Sequence, residues 1–381
     1  MRLGQAPCGD YARFGLSLCL TLLLSPLFFG CDRAGPMGFR AGSPLENLPP
    51  WISSLQDYGV RPDWSADSAR VVYLDALVGN VFEVEIATGR RRSLTAHFPH
   101  HGFTRARYLA NGALLLCGPG AANPDIEGVD GAAGAVGDRW HTELFYLPSG
   151  GGAAQPLGEP CFEGPAVSRL GMTIAWTRSD YPEELLFARS EIWTGRIEVE
   201  DGRARIVDRR RRVGREDFYY LAFLETQDFR PPDDSELLFS AYAYKGGEVM
   251  GVDLDTGALT NYSQDWGYDE AEGVFPDGES IAIEREANTY TAVPVGDIDI
   301  WQLSLDGTAA ARRLTHFTDY EGFGANNPVI SPDGKKMVFG LRIKGGDHGN
   351  ADGMLLYDFE AARQARAELQ TDGAARPLSS P

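Results

Sequence analysis

Short apolar runs separated by turn residues recur along most of the chain. In Pro328–Leu341, "PVISPDGKKMVFGL", Val329 and Ile330 end one run and Met337–Phe339 begins the next. The residues between them, Pro332–Gly334, have turn chemistry, because Asp bonds its own backbone and Gly tolerates positive φ. The stretch therefore predicts a β-hairpin.

The same pattern recurs, which makes it a repeat and not a single hairpin. Each copy has an extended run, a turn and a more apolar second run, and most are followed by two further strand-like runs. Four strands at a spacing of about 40–60 residues are typical of β-propeller blades. The six copies are Arg61–Leu74, Arg105–Gly118, Gly164–Thr177, Gln227–Ala241, Ala271–Glu284 and Pro328–Leu341.

The sixth repeat lacks a fourth strand, and a strand-like segment near the N-terminus has no repeat before it. The sixth copy ends at "MLLYDFE", whereas Trp51–Leu55 resembles a fourth strand. We therefore predict that Trp51–Leu55 pairs with Leu355–Phe359 and closes the ring, which removes an exposed sheet edge. The alternative is that 50–59 is a linker.

Composition agrees with many short strands. The 381 residues are 43% hydrophobic and include 45 Gly and 23 Pro, so a large core and frequent turns are expected. The net charge of −19 at pH 7 argues against a nucleic-acid partner.

The N-terminal segment 1–31 has the pattern of an export signal. Arg2 and Arg13 flank the start of an apolar run from Phe14 to Phe29 that is shorter than a comfortable membrane span. Because a small residue precedes Cys31, the segment resembles a bacterial lipoprotein signal in which that Cys is lipidated. The resemblance implies an exported, membrane-anchored protein of the periplasm or cell envelope. The alternative is an ordinary secretory signal cut nearby.

Two cysteines remain beyond the signal, Cys117 and Cys161. In an exported protein this pair permits one disulfide, although buried free thiols are an open alternative.

The turn "SPDGKKMVF" and its copies resemble the TolB-like, WD-type β-propeller repeat of bacterial envelope proteins, over roughly 50–360. The resemblance implies an all-β, six-bladed propeller of four-stranded antiparallel blades. TolB itself has an α/β domain before its propeller. Only the segment 32–49 separates the signal from the first strand here, so a Tol–Pal role does not follow. The end, 361–381, is expected to be a short helix to Gln370 and a disordered tail.

In a propeller, the loops that lead from one blade to the next gather at one mouth of the central channel. Here these loops carry carboxylates, arginines, imidazoles and amides, a set suited to a sugar, a peptide or a partner's terminus. The alternative is that these residues only solvate the channel. The predicted ligand-binding residues are Arg61, His100, His101, Arg105, Glu163, Gln227, Asp269, Glu272, Asn326 and Asn327.

The function predicted from these features is that of a monomeric, non-catalytic scaffold that binds an envelope protein or glycan and needs no cofactor. The enzymatic alternative is a carbohydrate-active propeller similar to oligogalacturonate lyases, which use clustered His for a metal. Only His100 and His101 lie near the mouth, and neighbours on a strand point to opposite faces. A third alternative is an envelope assembly component without a small ligand.

Two glycine-rich loops, 118–138 and 345–353, carry several Asp, Asn or Glu residues. Such loops can wrap a calcium ion, but neither matches the twelve-residue loop with its closing Glu. We expect surface insertions, with the first a candidate partner contact.

Overall fold

The computed structural model describes residues 38–120, 139–180, 189–286, 298–345 and 352–374. Residues 42–381 form one compact unit and 1–41 another, of which only 38–41 are described. The signal segment, most of the loop 118–138, the loop residues 346–351 and the tail 375–381 therefore lie outside the described residues.

Almost all regular structure in the described residues is extended. In the first half of the chain the strands are β1 (Ile52–Gln56), β2 (Val60–Trp64), β3 (Arg70–Leu74), β4 (Val81–Glu85), β5 (Arg91–Ser93), β6 (Arg105–Tyr108), β7 (Leu114–Pro119), β8 (Thr142–Leu147), β9 (Gln155–Pro160), β10 (Ala166–Val167), β11 (Thr173–Ser179) and β12 (Ser190–Glu200). In the second half they are β13 (Arg203–Gly214), β14 (Phe223–Phe229), β15 (Glu236–Tyr242), β16 (Gly247–Asp253), β17 (Leu259–Asn261), β18 (Tyr268–Val274), β19 (Ser280–Glu286), β20 (Ile298–Ser304), β21 (Ala311–Arg313), β22 (Phe323–Ile330), β23 (Lys336–Ile343) and β24 (Met354–Asp358).

The strands form six antiparallel, four-stranded blades in chain order. Blades one to five are β2–β5, β6–β9, β10–β13, β14–β17 and β18–β21. Blades four and five touch through one parallel bridge, Gly247 to Tyr268. The predicted all-β, six-bladed propeller is confirmed.

The sixth blade is completed by the N-terminal strand. β1 pairs antiparallel with β24, so that Ile52 lies opposite Tyr357 and Ser54 opposite Leu355. The Asp358 amide also donates to the Trp51 carbonyl at 2.8 Å. The predicted ring closure is therefore confirmed.

The recurring turn is held by the side chains that predicted it. In blade six the Ser331 hydroxyl donates to Asp333 at 2.6 Å and accepts from the Lys336 amide at 2.9 Å. Gly334 has φ +69°, which glycine adopts without strain. In blade one, Ser65 makes the corresponding bond to Asp67.

Neighbouring blades share hydrophobic layers. Between blades one and six, Trp64 packs with Tyr73, Val338 and Met354 in one buried cluster. The Trp64 indole N–H donates to the Val329 carbonyl at 3.0 Å, so the ring of blades is also joined by a hydrogen bond. Each blade thus buries both faces, which one four-stranded sheet cannot do alone.

The two cysteines of the second blade are joined in a disulfide, with Cα atoms 6.0 Å apart. Cys117 lies on β7 and Cys161 directly follows β9. Of the two alternatives that the sequence left open, the structure has the bond. A disulfide favours an oxidising compartment outside the cytoplasm.

One α-helix follows the last strand. α1 spans Phe359–Ala374, whereas the sequence led us to expect a helix that ends at Gln370. The ring centroids of Phe359 and Phe275 lie 5.3 Å apart, and this contact fixes the start of the helix to the fifth blade. Within the described part of the chain, no helix has the length and apolar character needed to cross a bilayer.

The closing strand provides a first test of the fold. Ile52 is 6% exposed and belongs to the hydrophobic core shared by blades five and six, so Ile52→Ala is expected to lower the free energy of unfolding by about 2–5 kcal/mol. Ser53 is exposed on the same strand, and Ser53→Ala should change it by less than about 0.5 kcal/mol. Urea denaturation of the two variants measures both values. Equal effects would contradict the contribution of β1 to the core.

Candidate binding site in the central channel

The innermost strands bring polar side chains from all six blades to the channel. Contacts across the axis show that they meet: Arg105 of blade two lies 3.7 Å from Glu225 of blade four. Each arginine and glutamate of this set is buried, except the partly buried Glu270. The set consists of Arg61, Arg105, Glu163, Glu225, Glu270, Glu272, Glu284 and the partly buried Asn327.

One side of the site is cationic, because three arginines surround Glu163. Its carboxylate pairs with Arg61 and with Arg139, and its carbonyl accepts from Arg105 Nε at 3.4 Å. Burial alone would raise the pKa of Glu163, but Arg61 and Arg139 outweigh it and hold the pKa down to about 2. Glu163 is therefore ionised at neutral pH.

Three of the predicted site residues have a left-handed backbone. Arg61 has φ 55°, Glu163 has φ 58° and Asn327 has φ 46°. Such conformations are costly for residues other than glycine and persist where the surroundings impose them, often at functional sites. Here the ion pairs and hydrogen bonds of the channel impose them.

The opposite side of the channel is rich in glutamates. The backbone N–H of Asn327 donates to Glu284 at 2.7 Å, and its side-chain amide donates to Glu272 at 3.3 Å. Burial raises the pKa of Glu225 to about 8 and that of Glu270 to about 7. The same cause raises the pKa values of Glu272 and Glu284. Glu225 and Glu270 therefore hold protons near neutral pH that ordinary glutamates release.

Two tyrosines are hydrogen-bonded to these carboxyls. Tyr242 donates to Glu225 at 2.7 Å, and Tyr268 donates to Glu270. The two tyrosine rings stack with centroids 6.1 Å apart, and Tyr268 is buried. The channel thus places aromatic side chains beside groups that donate and accept hydrogen bonds.

The aromatic wall continues into blades two and three. Trp140 stacks on Phe162 at 5.5 Å, and Phe162 contacts Phe223 edge to face at 4.9 Å. The guanidinium of Arg139 lies 4.0 Å from the Trp140 ring, a distance suited to a cation–π contact.

Three carboxylates of the channel could share a cation. Glu270, Glu272 and Glu284 each offer an oxygen, and the three atoms lie within 4.8 Å of one another. Hard cations such as calcium prefer oxygen ligands of this kind. The set lies in the channel and not in the two glycine-rich loops that were weighed as calcium sites from the sequence.

Several predicted site residues lie elsewhere or have other partners. Asp269 pairs with Arg285 at 2.5 Å, away from Glu270 on the same strand. His100 Nδ1 accepts from the Gly102 amide at 2.9 Å, and its ring lies 4.8 Å from Phe103. His100 and His101 therefore have no contact with the channel glutamates among the described residues.

The two remaining predicted amide residues, Gln227 and Asn326, lie on channel strands. Neither makes the hydrogen bonds to the channel glutamates that Asn327 makes in the described structure. The Gln227 carbonyl accepts from Arg107 at 3.0 Å, and its fully buried side chain makes no hydrogen bond in the described structure. Asn326 lies on β22 beside Asn327, and its side-chain oxygen is also without a partner there. The structure thus brings together Arg61, Arg105, Glu163, Glu272 and Asn327 of the predicted set.

Other residues of the site were missed from the sequence. Glu225 and Glu270 precede the predicted Gln227 and Glu272 by two positions on the same strands. Since residues two apart on a strand share a face, this spacing could have identified both. Glu284 lies on the second strand of blade five, opposite Glu270, and no loop pattern marks it.

The far end of the channel opens into a cavity of about 370 Å³. Its rim is formed by the first turn of each blade, for example at Leu170 and Pro332. Arg107 and Asp63 form an ion pair of 3.2 Å in its wall. The channel therefore has two chemically different ends.

The raised pKa values predict how stability depends on pH. Because the folded chain holds protons on Glu225 and Glu270 that the unfolded chain releases, the free energy of unfolding should fall between about pH 4.5 and 8. Glu163 has the opposite effect, because its pKa is lowered in the folded chain. The stability that its ionised carboxylate contributes is lost as pH falls from about 4.5 to 2. Urea midpoints should therefore be higher at about pH 5.5 than at about pH 8. Glu225→Gln should reduce that difference, and equal midpoints in the parent would contradict the assignment.

No protein-family model matches the chain, and no curated protein matches it. Among solved structures, a gluconolactonase from Xanthomonas campestris is similar, with a TM-score of 0.51, 14% identity, and coverage of 81% of this chain and 88% of that one. An oligogalacturonate lyase in complex with manganese has a TM-score of 0.46 and 12% identity, over 82% and 77%.

TolB from Acinetobacter baumannii is also similar, with a TM-score of 0.35 and 13% identity over 80% of this chain. The chain spans 55% of that protein's length. The likeness to the gluconolactonase, at 14% identity, shows the β-propeller fold alone. The fold is shared by proteins of different activities, so function must be argued from the site.

Proposed function

We propose that this protein is an exported β-propeller that binds a protein or glycan of the cell envelope at the mouth of its channel, without catalysing a reaction. The observation that carries the proposal is the joint presence of aromatic side chains and buried charged groups in one channel. The partly buried Tyr242 donates to Glu225, and the buried Tyr268 donates to Glu270. Ligand sites typically combine apolar lining with a few converging polar groups.

A non-catalytic role is supported by how the charged groups are used. Arg61 and Arg139 both bind Glu163, and Asn327 binds Glu272 and Glu284. The two histidines that a lyase-like metal site would need lie against blade one and two loops. Export is supported by the disulfide and by the N-terminal signal pattern.

Binding can be tested by thermal shift of the full chain with calcium, with envelope oligosaccharides and with a chelator. A ligand at 100 times its Kd should stabilise the folded state by about 2.7 kcal/mol. Glu270→Gln keeps the shape of this partly buried side chain but removes its carboxyl group. It should therefore abolish the thermal shift that the ligand causes. Glu279→Gln is a matched control, because Glu279 is exposed in a turn of blade five.

The same samples distinguish binding from catalysis. Chromatography of the oligosaccharide after prolonged incubation should recover it intact. Shortened or unsaturated products would favour the carbohydrate-active enzyme and overturn the proposal. A shift that Glu270→Gln leaves unchanged would overturn the mouth as the site.

The lipid anchor is tested separately. Cys31→Ser is expected to move the protein from the membrane fraction to the soluble fraction and to abolish labelling with a radioactive fatty acid. Cys19→Ser lies in the same apolar segment and should change neither. Continued labelling of the Cys31→Ser variant would contradict lipidation at that residue.

A further inference from the structure

A cluster of aromatic side chains stands exposed beside the channel mouth, on blades three to five. Tyr219 is 92% exposed, Tyr220 is 52% exposed and Trp266 is 62% exposed. With the partly buried Phe218 and Tyr244, we call these residues the aromatic platform. Exposed apolar surface of this kind usually marks an interaction site.

The platform is ordered by contacts among its own rings. Tyr219 meets Tyr220 edge to face at 5.0 Å, and Phe218 meets Tyr244 at 5.2 Å. Tyr220 lies 6.0 Å from Tyr244. The backbone carbonyl of Trp266 lies next to Gly246, where a Cβ would come within 2.8 Å of it. Three separate loops therefore converge on one surface.

The platform continues into the channel site. Its loops are the connection from β13 to β14, the turn from β15 to β16 and the connection from β17 to β18. Tyr242, which donates to Glu225, is the last residue of β15 and precedes Tyr244 by two positions. A ligand on the platform can thus reach the mouth without crossing another blade.

The turn that carries Tyr244 has a strained backbone. Ala243 has φ 62° and Lys245 has φ 56°, although neither is glycine. A turn of ordinary composition would place Gly or Asn at such positions. Strain of this kind is found where a loop holds a side chain for binding.

The exposed area fits a small ligand. At about 200 Å² for a fully exposed ring, Tyr219, Tyr220 and Trp266 offer roughly 400 Å². A stable protein interface needs about 800 Å² from each partner. The exposed rings alone supply about half of that area, whereas they are large enough for a few sugar rings.

Charge on the platform is nearly balanced. The Lys245 ammonium lies 5.7 Å from the Tyr244 ring. The acidic neighbours Glu216 and Asp217 are both held by Arg211. Arg211 thus offsets part of the acidic charge beside the platform, and Lys245 adds a positive charge. Because neither sign dominates, an uncharged ligand is favoured.

We propose that the aromatic platform binds a neutral oligosaccharide and delivers its end to the channel mouth. The C–H faces of the sugar rings pack on the exposed aromatic rings, while hydroxyls bond to tyrosine hydroxyls, Lys245 and the mouth carboxyls. The inference rests on the proposed function and narrows its ligand to a glycan.

The test uses the full chain with chitohexaose, cellohexaose and maltohexaose, measured by calorimetry and by tryptophan fluorescence. At least one of them should bind, and the double variant Tyr219→Ala, Tyr220→Ala should raise its Kd at least tenfold. Trp266→Ala should do the same. Leu170→Ala is the matched control, because Leu170 is 66% exposed at the opposite end of the channel.

The outcomes separate this proposal from the one it rests on. Binding that is lost in Glu270→Gln but kept in the platform variants overturns the platform and leaves the channel site. Binding of an acidic hexamer such as hexagalacturonate alone overturns the neutral class. Absence of binding to every sugar overturns the proposal of a glycan ligand. Capture of an envelope protein by the native chain, but not by the Tyr219 variant, would then assign the platform to a protein partner. Unchanged urea midpoints in the platform variants confirm that folding is not the cause.

Discussion

Arg61→Ala is expected to lower the free energy of unfolding by about 3–5 kcal/mol. Arg61 is 7% exposed and binds both the Glu163 carboxylate and the Thr104 carbonyl, the latter at 2.8 Å. Its removal leaves a buried, ionised carboxylate with Arg139 as its remaining partner. The cost arises because that buried charge loses one of its two ion-pair partners, and urea denaturation at neutral pH measures it.

An exposed pair of the same chemistry is the control. Arg90 lies 3.4 Å from Glu85 with a side chain 81% exposed, so Arg90→Ala should cost less than about 1 kcal/mol. Replacing Glu163 by alanine together with Arg61 should recover part of the loss, because the buried carboxylate that lost its partner is then also removed. If the double variant is as unstable as the sum of the single ones, Arg61 and Glu163 are not energetically coupled.

Replacing both Cys117 and Cys161 by alanine is expected to cost about 2–4 kcal/mol. The bond spans 44 residues, and without it the unfolded chain gains the entropy of the opened loop. Alanine is chosen because both sites are buried and a serine hydroxyl would add a cost of its own. Denaturant midpoints with and without a thiol reductant measure the effect.

Reduction of the disulfide in the native protein provides a second test of its contribution to stability. The reduced protein should unfold at a midpoint close to that of the alanine variant. If the reductant leaves the midpoint of the native protein unchanged and the variant matches it, the bond contributes nothing to stability under those conditions.

The fold was predictable because its information is local and repeated. Turns such as Ser331–Lys336 are specified by a few adjacent residues, and six copies fix the number of blades. Ring closure followed from a missing strand at one end and a surplus strand at the other. No long-range contact had to be guessed beyond the pairing of β1 with β24.

The site was less predictable because it depends on which side chains meet across the axis. The sequence marks Arg105 and Glu163 as polar, but only the closed ring shows that Arg105 reaches Glu225 two blades away. Glu284 joins through strand pairing, since it lies opposite Glu270. The aromatic platform is assembled from three loops, none of which is unusual in sequence alone.

Ring closure also affects how the protein is made. Synthesis delivers β1 first and its partner β24 last, so Ile52 meets Tyr357 only after roughly 300 further residues have followed. Until then β1 and the free edge of the last blade can both pair with other chains. A product truncated before Met354 retains those open edges permanently and is expected to aggregate or be degraded. The strand that finishes the propeller thus distinguishes complete chains from incomplete ones.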